Sequence, residues 1–212
     1  LLSGTMVRNG SPLPDLIAGN SAPSRSYDFD IARAREYLAR VPDPIPELTI
    51  GAIAGQAHAE MAAAMLKRGL DELGIKSRIV AEPADAIFAR SHDERQMFDV
   101  LFMVETRLPP DPDPWIGARY NCADGGRTNY SWYCREAIDT LIAEARRSND
   151  PAARWKNFTA AATLIEADAV DLWIGTAVRL GVFGNGVTGL AFSPLSEALD
   201  LRWGSMDRRM AQ

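Results

Sequence analysis

Apolar residues recur at helical spacing in four stretches of the chain, and each stretch has its own start or stop signal. Asp150, followed by Pro151, caps the last one, and Gly74 ends the second at a position that favours a left-handed conformation. The predicted helices run from a cap at Asp28 or Asp30 to Val41, from about Gln56 to Leu73, from Arg135 to Arg147, and from Pro151 to about Ala169.

Other stretches have the pattern of strands. Short strands are predicted at Leu48 to Ile50, near Lys76 to Ala81, at Val100 to Val104 and, broken by glycines, at Leu172 to Phe183. The run from Val100 to Val104 is apolar without interruption, which is typical of a strand buried on both faces of a parallel or mixed sheet. Ligands collect beyond the carboxyl ends of such strands, where Glu105, Thr106 and Arg107 follow.

Composition excludes some classes of protein. With 212 residues, 47% of them apolar, the chain can bury a core as one domain or two small ones. A net charge of -5 argues against nucleic-acid binding. The sequence contains no apolar run of about 18 residues, so it predicts no membrane span. The start lacks a methionine or signal peptide, so we expect a piece of a longer protein. Residues 1–26, rich in serine, proline and glycine, are predicted to form a linker without a packed element.

Cys122 and Cys134 are the only cysteines, with eleven residues between them. This spacing is too wide for a C-x-x-C pair, and no nearby histidine could complete a metal site. We interpret the two residues as a disulfide, which persists in an oxidising compartment such as a periplasm. The alternative is a pair of unpaired, buried thiols.

The residues give little support for catalysis. His58 lies on the polar side of a predicted helix, His92 lies in a charged stretch, and no serine or cysteine has the context of a nucleophile elbow. Asp111 and Asp113 could bind a metal, but carboxylates in a proline-rich loop usually form turns and caps. The four prolines from Pro109 to Trp115 are expected to exclude a helix and a central strand. We therefore expect no enzyme, no metal and no cofactor.

The stretch from Phe98 to Trp115 resembles, without a gap, the part of the bacterial dipeptide-binding proteins that runs from a buried strand into the ligand pocket. The segments beyond it fit in order and spacing: Asn129-Tyr130-Ser131, the second cysteine, the helix that begins near Glu136, and Asn149-Asp150-Pro151. The resemblance extends from about Tyr27 to Pro194. It is to the family 5 extracytoplasmic solute-binding proteins, the receptors of ABC importers for peptides, nickel and related solutes.

The resemblance implies an α/β, periplasmic-binding-protein-like (type II) lobe with a mixed sheet flanked by helices, as a fragment of a two-lobed protein. Residues 1–26 would then be a linker or lobe-crossing segment, 27–172 the second ligand-binding lobe, and 173–212 return strands towards the first lobe. The implied function is a periplasmic receptor that binds a peptide-like or other small polar solute between two lobes. Its partners would be that solute and an ABC permease in the membrane, and we expect a monomer.

The pocket residues depart from the family pattern. Leu108 stands where the dipeptide-binding relatives have the aspartate that holds the peptide amino group, and Glu105 stands where they have a pocket tryptophan. The usual dipeptide contacts are therefore not expected. Glu105 could instead pair with a cationic ligand group and Arg107 with an anionic one, or both could be solvated or paired with each other.

Three further residues complete the predicted ligand site: Asp111, Trp115 and Tyr130. For the two aromatic residues, packing beneath the loop between the cysteines is the alternative. Two other functions remain open. One is a ligand-sensing regulatory domain of the same fold, and the other is a small hydrolase or metal-dependent enzyme that uses Asp111, Asp113 and Glu105.

Overall fold

A computed structural model gives the fold of the chain. It describes residues 6–14, 17, 27–104, 109–178, 181–192 and 199–206. The helices are α1 (Ile31–Leu38), α2 (Ala57–Glu72), α3 (Ala84–Ser91), α4 (Glu136–Arg147) and α5 (Pro151–Asp168). The strands are β1 (Met6–Val7), β2 (Leu48–Ile53), β3 (Ser77–Glu82), β4 (Val100–Phe102), β5 (Thr176–Ala177), β6 (Val187–Thr188), β7 (Ala191–Phe192), β8 (Leu199–Asp200) and β9 (Ser205–Met206).

A three-stranded parallel sheet has the order β3-β2-β4, with Ile50 of β2 opposite Ile79 on one side and Val100 on the other. The predicted strand at Val100 is confirmed over its first three residues. Burial on both faces is not observed: Phe102 is buried, whereas Val100 and Leu101 are only half-buried. Strand β4 lies at an edge of the described sheet.

Helix α2 covers this sheet with small side chains. Ala59, Ala62 and Ala63 are buried against the sheet residues Ile50 and Ala52. Alanine lets a helix approach a sheet closely, and the strand–helix order β2, α2, β3 returns the chain in parallel beside its starting strand. Gly74, which ends the helix, has the predicted positive φ of 76°.

The second core lies between helices α4 and α5. Asp150 accepts a hydrogen bond from the amide of Ala152 at 3.0 Å, which confirms the predicted cap of α5. The core consists of Leu13, Ile17, Ile116, Tyr120, Ile138, Ile142, Ala145, Phe158, Ala161, Ala162 and Ile165. The apolar residues that recur at helical spacing in both helices therefore face this core, as their periodicity predicts.

The N-terminal segment corrects one expectation. Leu13 and Ile17 are only 2% and 4% exposed and belong to the helical core, so these described residues do pack. The Oγ atom of Ser11 accepts a hydrogen bond from the amide of Leu13 at 3.3 Å. Serine and proline correctly signalled irregular backbone, but irregular backbone can still bury apolar side chains.

The C-terminal region forms short strand pairs. Strand β5 pairs with β1, β6 with β9, and β7 with β8, all antiparallel. The strand predicted from Leu172 to Phe183 is confirmed only at Thr176–Ala177; Arg179 and Leu180 lie outside the described residues. Among the described helices, none is long and apolar enough to cross a membrane.

Candidate functional site

The carboxyl end of the parallel sheet is held together by two short loops. The side-chain oxygen Oε1 of Gln56, just after β2, accepts a hydrogen bond from the amide of Val104, just after β4, at 3.1 Å. The amide of Gly55 donates to Oε1 of Glu60 at 2.8 Å, which ties the same turn to the first turn of α2. The two strand ends are therefore fixed relative to each other. The predicted ligand contacts Glu105, Arg107 and Leu108 lie outside the described residues.

The proline-rich loop contains a helical turn that the sequence did not predict. Asp113–Gly117 forms a single turn of π-helix, which Pro112 precedes and Pro114 enters at its start. The expectation that this stretch excludes a helix was wrong, because the first amides of a helix need no partner and proline is tolerated there. The indole Nε1 of Trp115 donates to the carbonyl of Pro109 at 3.2 Å, so this predicted ligand residue closes its own loop.

Two arginines hold the loop on the helical hairpin that α4 and α5 form. Arg154 donates two hydrogen bonds of 2.8 Å to the carboxylate of Asp111, and Nε of Arg146 donates to Asp113 at 2.9 Å. Hydrogen bonding by Arg154 lowers the pKa of Asp111. A Cβ on Gly117 would lie 1.8 Å from Oδ1 of Asp113, so the second ion pair needs glycine there.

These contacts favour the interpretation of both aspartates as structural groups. Asp111 also accepts a hydrogen bond from the amide of Asp113 at 2.8 Å, the geometry of a turn-forming aspartate. Within the described parts of the chain, no three histidine, cysteine, aspartate or glutamate residues are grouped so that they could hold a metal ion.

The loop between the cysteines is closed by the Cys122–Cys134 disulfide, as predicted. Its centre is Asn129, which is 1% exposed. The side-chain amide of Asn129 donates to the carbonyls of Asn121 and Tyr133 at 3.1 and 2.7 Å. A buried amide with these bonds fixes the two ends of the loop as well as its middle.

One face of this loop docks on helix α3. The indole Nε1 of Trp132 donates to the carbonyl of Ser91 at 3.1 Å, and the Ser91 hydroxyl donates to the carbonyl of Gly126 at 3.2 Å. The ring of Tyr130, a predicted ligand residue, lies 5.7 Å from that of Phe88. These contacts support the packing alternative for Tyr130.

An open cleft of about 340 Å³ lies where helices α4 and α5 meet the proline-rich loop. It is lined by Pro112, Ser148, Asn149, Pro151, Arg154 and Trp155. Arg154 is the charged residue among those that line the cleft, and its guanidinium already binds Asp111. The cleft therefore offers a ligand mainly the surfaces of its tryptophan and prolines.

Sequence reasoning did not single out Gln56 or the ion pair of Arg154. Gln56 carries a weak signal, since it follows a glycine turn at a strand end and directly precedes a helix. Arg154 lies 43 residues from Asp111, and one sequence gives no sign of such a contact.

Comparison with known proteins finds similarity in sequence to one group. No protein-family model matches the chain. The chain is 28% identical over 174 residues to the dipeptide-binding protein of Pseudomonas aeruginosa. This match covers 79% of the chain and 32% of the relative. The chain is 32% identical over 128 residues to di/tripeptide-binding protein 3 of the same species, which covers 58% of this chain and 24% of the relative. The chain thus spans about a third or less of these relatives.

A solved structure shares the fold of this chain. A dipeptide binding protein from a Pseudoalteromonas species, solved in complex with Met-Leu, superposes with a TM-score of 0.74 at 19% identity. The match covers 96% of this chain and 41% of that protein, and it confirms the predicted fold class. In sequence and in fold, this chain is similar to one part of the dipeptide- and oligopeptide-binding proteins of family 5 ABC importers.

Proposed function

We propose that the chain supplies one ligand-binding lobe of a solute receptor of an ABC importer, and that the receptor takes a peptide-like or other small polar solute. The observation that carries this proposal is the match of nearly the whole chain to one part of a dipeptide binding protein. The sequence similarity to peptide-binding relatives supports it independently.

In this proposal the solute lies beyond the carboxyl ends of strands β2 and β4. Parallel strands place the loops that follow them at one edge, where ligands bind in open α/β sheets. The hydrogen bond between Gln56 and Val104 ties these two loops together. Such a bond fixes the backbone immediately before Glu105, which limits the ordering cost of binding.

Glu105 and Arg107 are the proposed charged contacts. A carboxylate and a guanidinium two residues apart can bind a cationic and an anionic group of one solute, and such contacts are strong when water is excluded. Leu108 would contribute an apolar contact, since it cannot hold an ammonium group. The ligand would therefore differ in its anchoring from the dipeptides of the relatives.

Trp115, Tyr130 and Asp111 have supporting roles in this proposal. Trp115 closes the loop that follows Leu108, and Asp111 holds that loop on α5 through Arg154. Tyr130 would present one edge of its half-buried ring to the solute while its face packs on α3.

The receptor would act without covalent chemistry. A solute held between two lobes closes them by a hinge movement, and the closed form is what a membrane permease would recognise. We expect this receptor in the periplasm, as a monomer.

Isothermal titration calorimetry on the protein expressed from its full reading frame tests the proposal. A panel of dipeptides, tripeptides and zwitterionic amino-acid conjugates should contain at least one solute that binds with a Kd in the micromolar range, about -8 kcal/mol. Glu105→Ala and Arg107→Ala should each weaken binding by about tenfold or more, with little change in Tm.

Glu94→Ala is the matched control, because Glu94 is an exposed acidic residue elsewhere on the same lobe. Equal weakening by the control, or loss of Tm in both site variants, would contradict the assigned roles. The receptor function itself would be contradicted by two results together. No solute of the panel would bind, and native mass spectrometry of the purified protein would show no retained endogenous solute.

A further inference from the structure

Residues 168–177, called here the exit segment, connect the two cores of the protein. Val170 and Trp173 pack against the core between α4 and α5, whereas Ile174 packs against the core beneath the sheet. Thr176–Ala177 then pairs with strand β1 near the other end of the chain. The path of this segment therefore sets how the helical hairpin, the sheet and the β1–β5 pair are placed relative to one another.

Two tyrosines bind the start of the exit segment. The hydroxyl of Tyr120, which is 2% exposed, donates a hydrogen bond to the carboxylate of Asp171. The hydroxyl of Tyr133 donates to Oδ2 of Asp168 at 2.5 Å, and Arg135 donates to the same oxygen at 2.7 Å. Both aspartates flank the point where α5 ends.

The backbone at this point needs such support. Ala169 directly follows the last residue of helix α5, Asp168, and has a φ of 52° in the left-handed region. This conformation is costly for a residue other than glycine and persists where surrounding contacts determine it. The two tyrosine bonds lie on either side of Ala169 and can hold it there.

At neutral pH the hydroxyl groups of Tyr120 and Tyr133 are protonated, so both can donate hydrogen bonds. Burial raises the pKa of Tyr120 well above its usual value, and burial together with Asp168 raises the pKa of Tyr133 to about 12. The hydrogen bond from Tyr133 lowers the pKa of Asp168. At neutral pH, Tyr133 is therefore a donor to a carboxylate, which makes a stronger bond than a neutral pair.

The disulfide aligns the two tyrosines. Tyr120 stands two residues before Cys122, and Tyr133 stands immediately before Cys134. Their rings meet edge to face, with centroids 6.4 Å apart and an angle of 81° between the planes. The amide of Cys122 also donates to Oδ1 of Asp139 in α4 at 3.0 Å. The covalent bond thus fixes both tyrosines on the helical core.

We propose that Tyr120 and Tyr133 are positioning residues that, aligned by the Cys122–Cys134 disulfide, clamp the exit segment and so set the geometry in which the lobe meets its ligand. The ligand part of this inference rests on the proposed function; the clamp itself does not. The disulfide then acts on residues 168–177, which lie outside the loop that it closes.

Hydrogen exchange measured by mass spectrometry tests the clamp without any ligand. Tyr133→Phe and Tyr120→Phe should each raise the exchange rate of the amides of residues 170–177 by about tenfold, while α2 keeps its rates. The double variant Cys122→Ser/Cys134→Ser also loses global stability, so it should raise the exchange rate of residues 170–177 by a larger factor than that of α2. Tyr37→Phe, on the exposed face of α1, is the control and should change neither region.

Unchanged exchange in residues 170–177 in all three variants would overturn the proposal. An equal increase in α2 would overturn it as well, because it would show general destabilisation instead of a local clamp. Loss of the effect in the cysteine variant alone would remove the disulfide from the mechanism and leave the tyrosines.

A second measurement addresses the ligand. In the full-length protein, Tyr133→Phe should raise the Kd of a bound solute by about tenfold, with a Tm change of no more than about 4 °C. An unchanged Kd together with faster exchange would show a clamp without influence on binding. Absence of any binding in the unmodified protein would instead contradict the proposed function, and the exchange result would still stand.

Discussion

Removal of the Cys122–Cys134 bond offers a quantitative test of the fold. The bond closes a loop with eleven residues between the cysteines. In the chain-entropy model, a closed loop of this size restricts the unfolded chain by about 3 kcal/mol at 25 °C. The contacts of the folded loop, such as the Trp132 bond to Ser91 and the buried amide of Asn129, do not require the sulfur atoms. We therefore expect the loss to come mainly from the unfolded state.

The double variant Cys122→Ser/Cys134→Ser should lose about 3 kcal/mol of unfolding free energy in urea denaturation. For a chain of this length, such a loss corresponds to a fall in Tm of roughly 6–12 °C. The unfolding free energy should also fall more steeply with urea concentration in the double variant, because an unfolded chain without the cross-link exposes more surface.

The unmodified protein treated with a reductant is the internal control, and it should match the double variant. The double variant itself should not respond to the reductant. A loss of less than about 1 kcal/mol would refute the entropic reasoning, since it would mean that the reduced chain keeps the loop closed when unfolded.

Three further results are expected. Phe158→Ala removes a ring that is 0% exposed and should cost about 3–5 kcal/mol in urea denaturation, whereas a loss below 1 kcal/mol would place the ring outside a packed core. Because Arg154 lowers the pKa of Asp111, their ion pair stabilises the fold above about pH 4 and loses its effect as the pH falls through the folded-state value. Asp111→Asn should therefore cost about 1 kcal/mol at neutral pH and nothing in strong acid, measured by thermal melting; an equal cost at both would exclude the ion pair as the cause. Tyr133, with its pKa raised to about 12, should contribute its stability below about pH 10 and lose it as the pH rises further, and an ultraviolet titration should show a late step that Tyr133→Phe lacks.

The sequence predicted elements whose signals are local. The cap at Asp150, the positive φ at Gly74 and the inward faces of α4 and α5 all follow from residues within one or two turns of each other. Such patterns reflect backbone hydrogen bonding and helical periodicity, which act over a few residues.

Predictions that used one local signal to exclude a structure were less reliable. Prolines were taken to exclude a helix, yet Pro114 occupies the start of the π-helical turn, where its missing donor has no effect. Residues 1–26, rich in serine and proline, were expected to form a linker without a packed element, yet Leu13 and Ile17 enter the core. In both cases the positions of individual residues decided the structure, and an argument from overall composition does not take these positions into account.

The sequence by itself determined the main helices and parallel strands, and it also identified the cysteine pair and the group of peptide-binding relatives. Only the tertiary structure decided which charged and polar side chains meet. Asp111 meets Arg154 across 43 residues and Tyr120 meets Asp171 across 51, so their pairing depends on how α5 packs. The physical reason is range: caps and periodicity act within a few residues, whereas an ion pair or a buried hydrogen bond exists only after distant elements have been packed together.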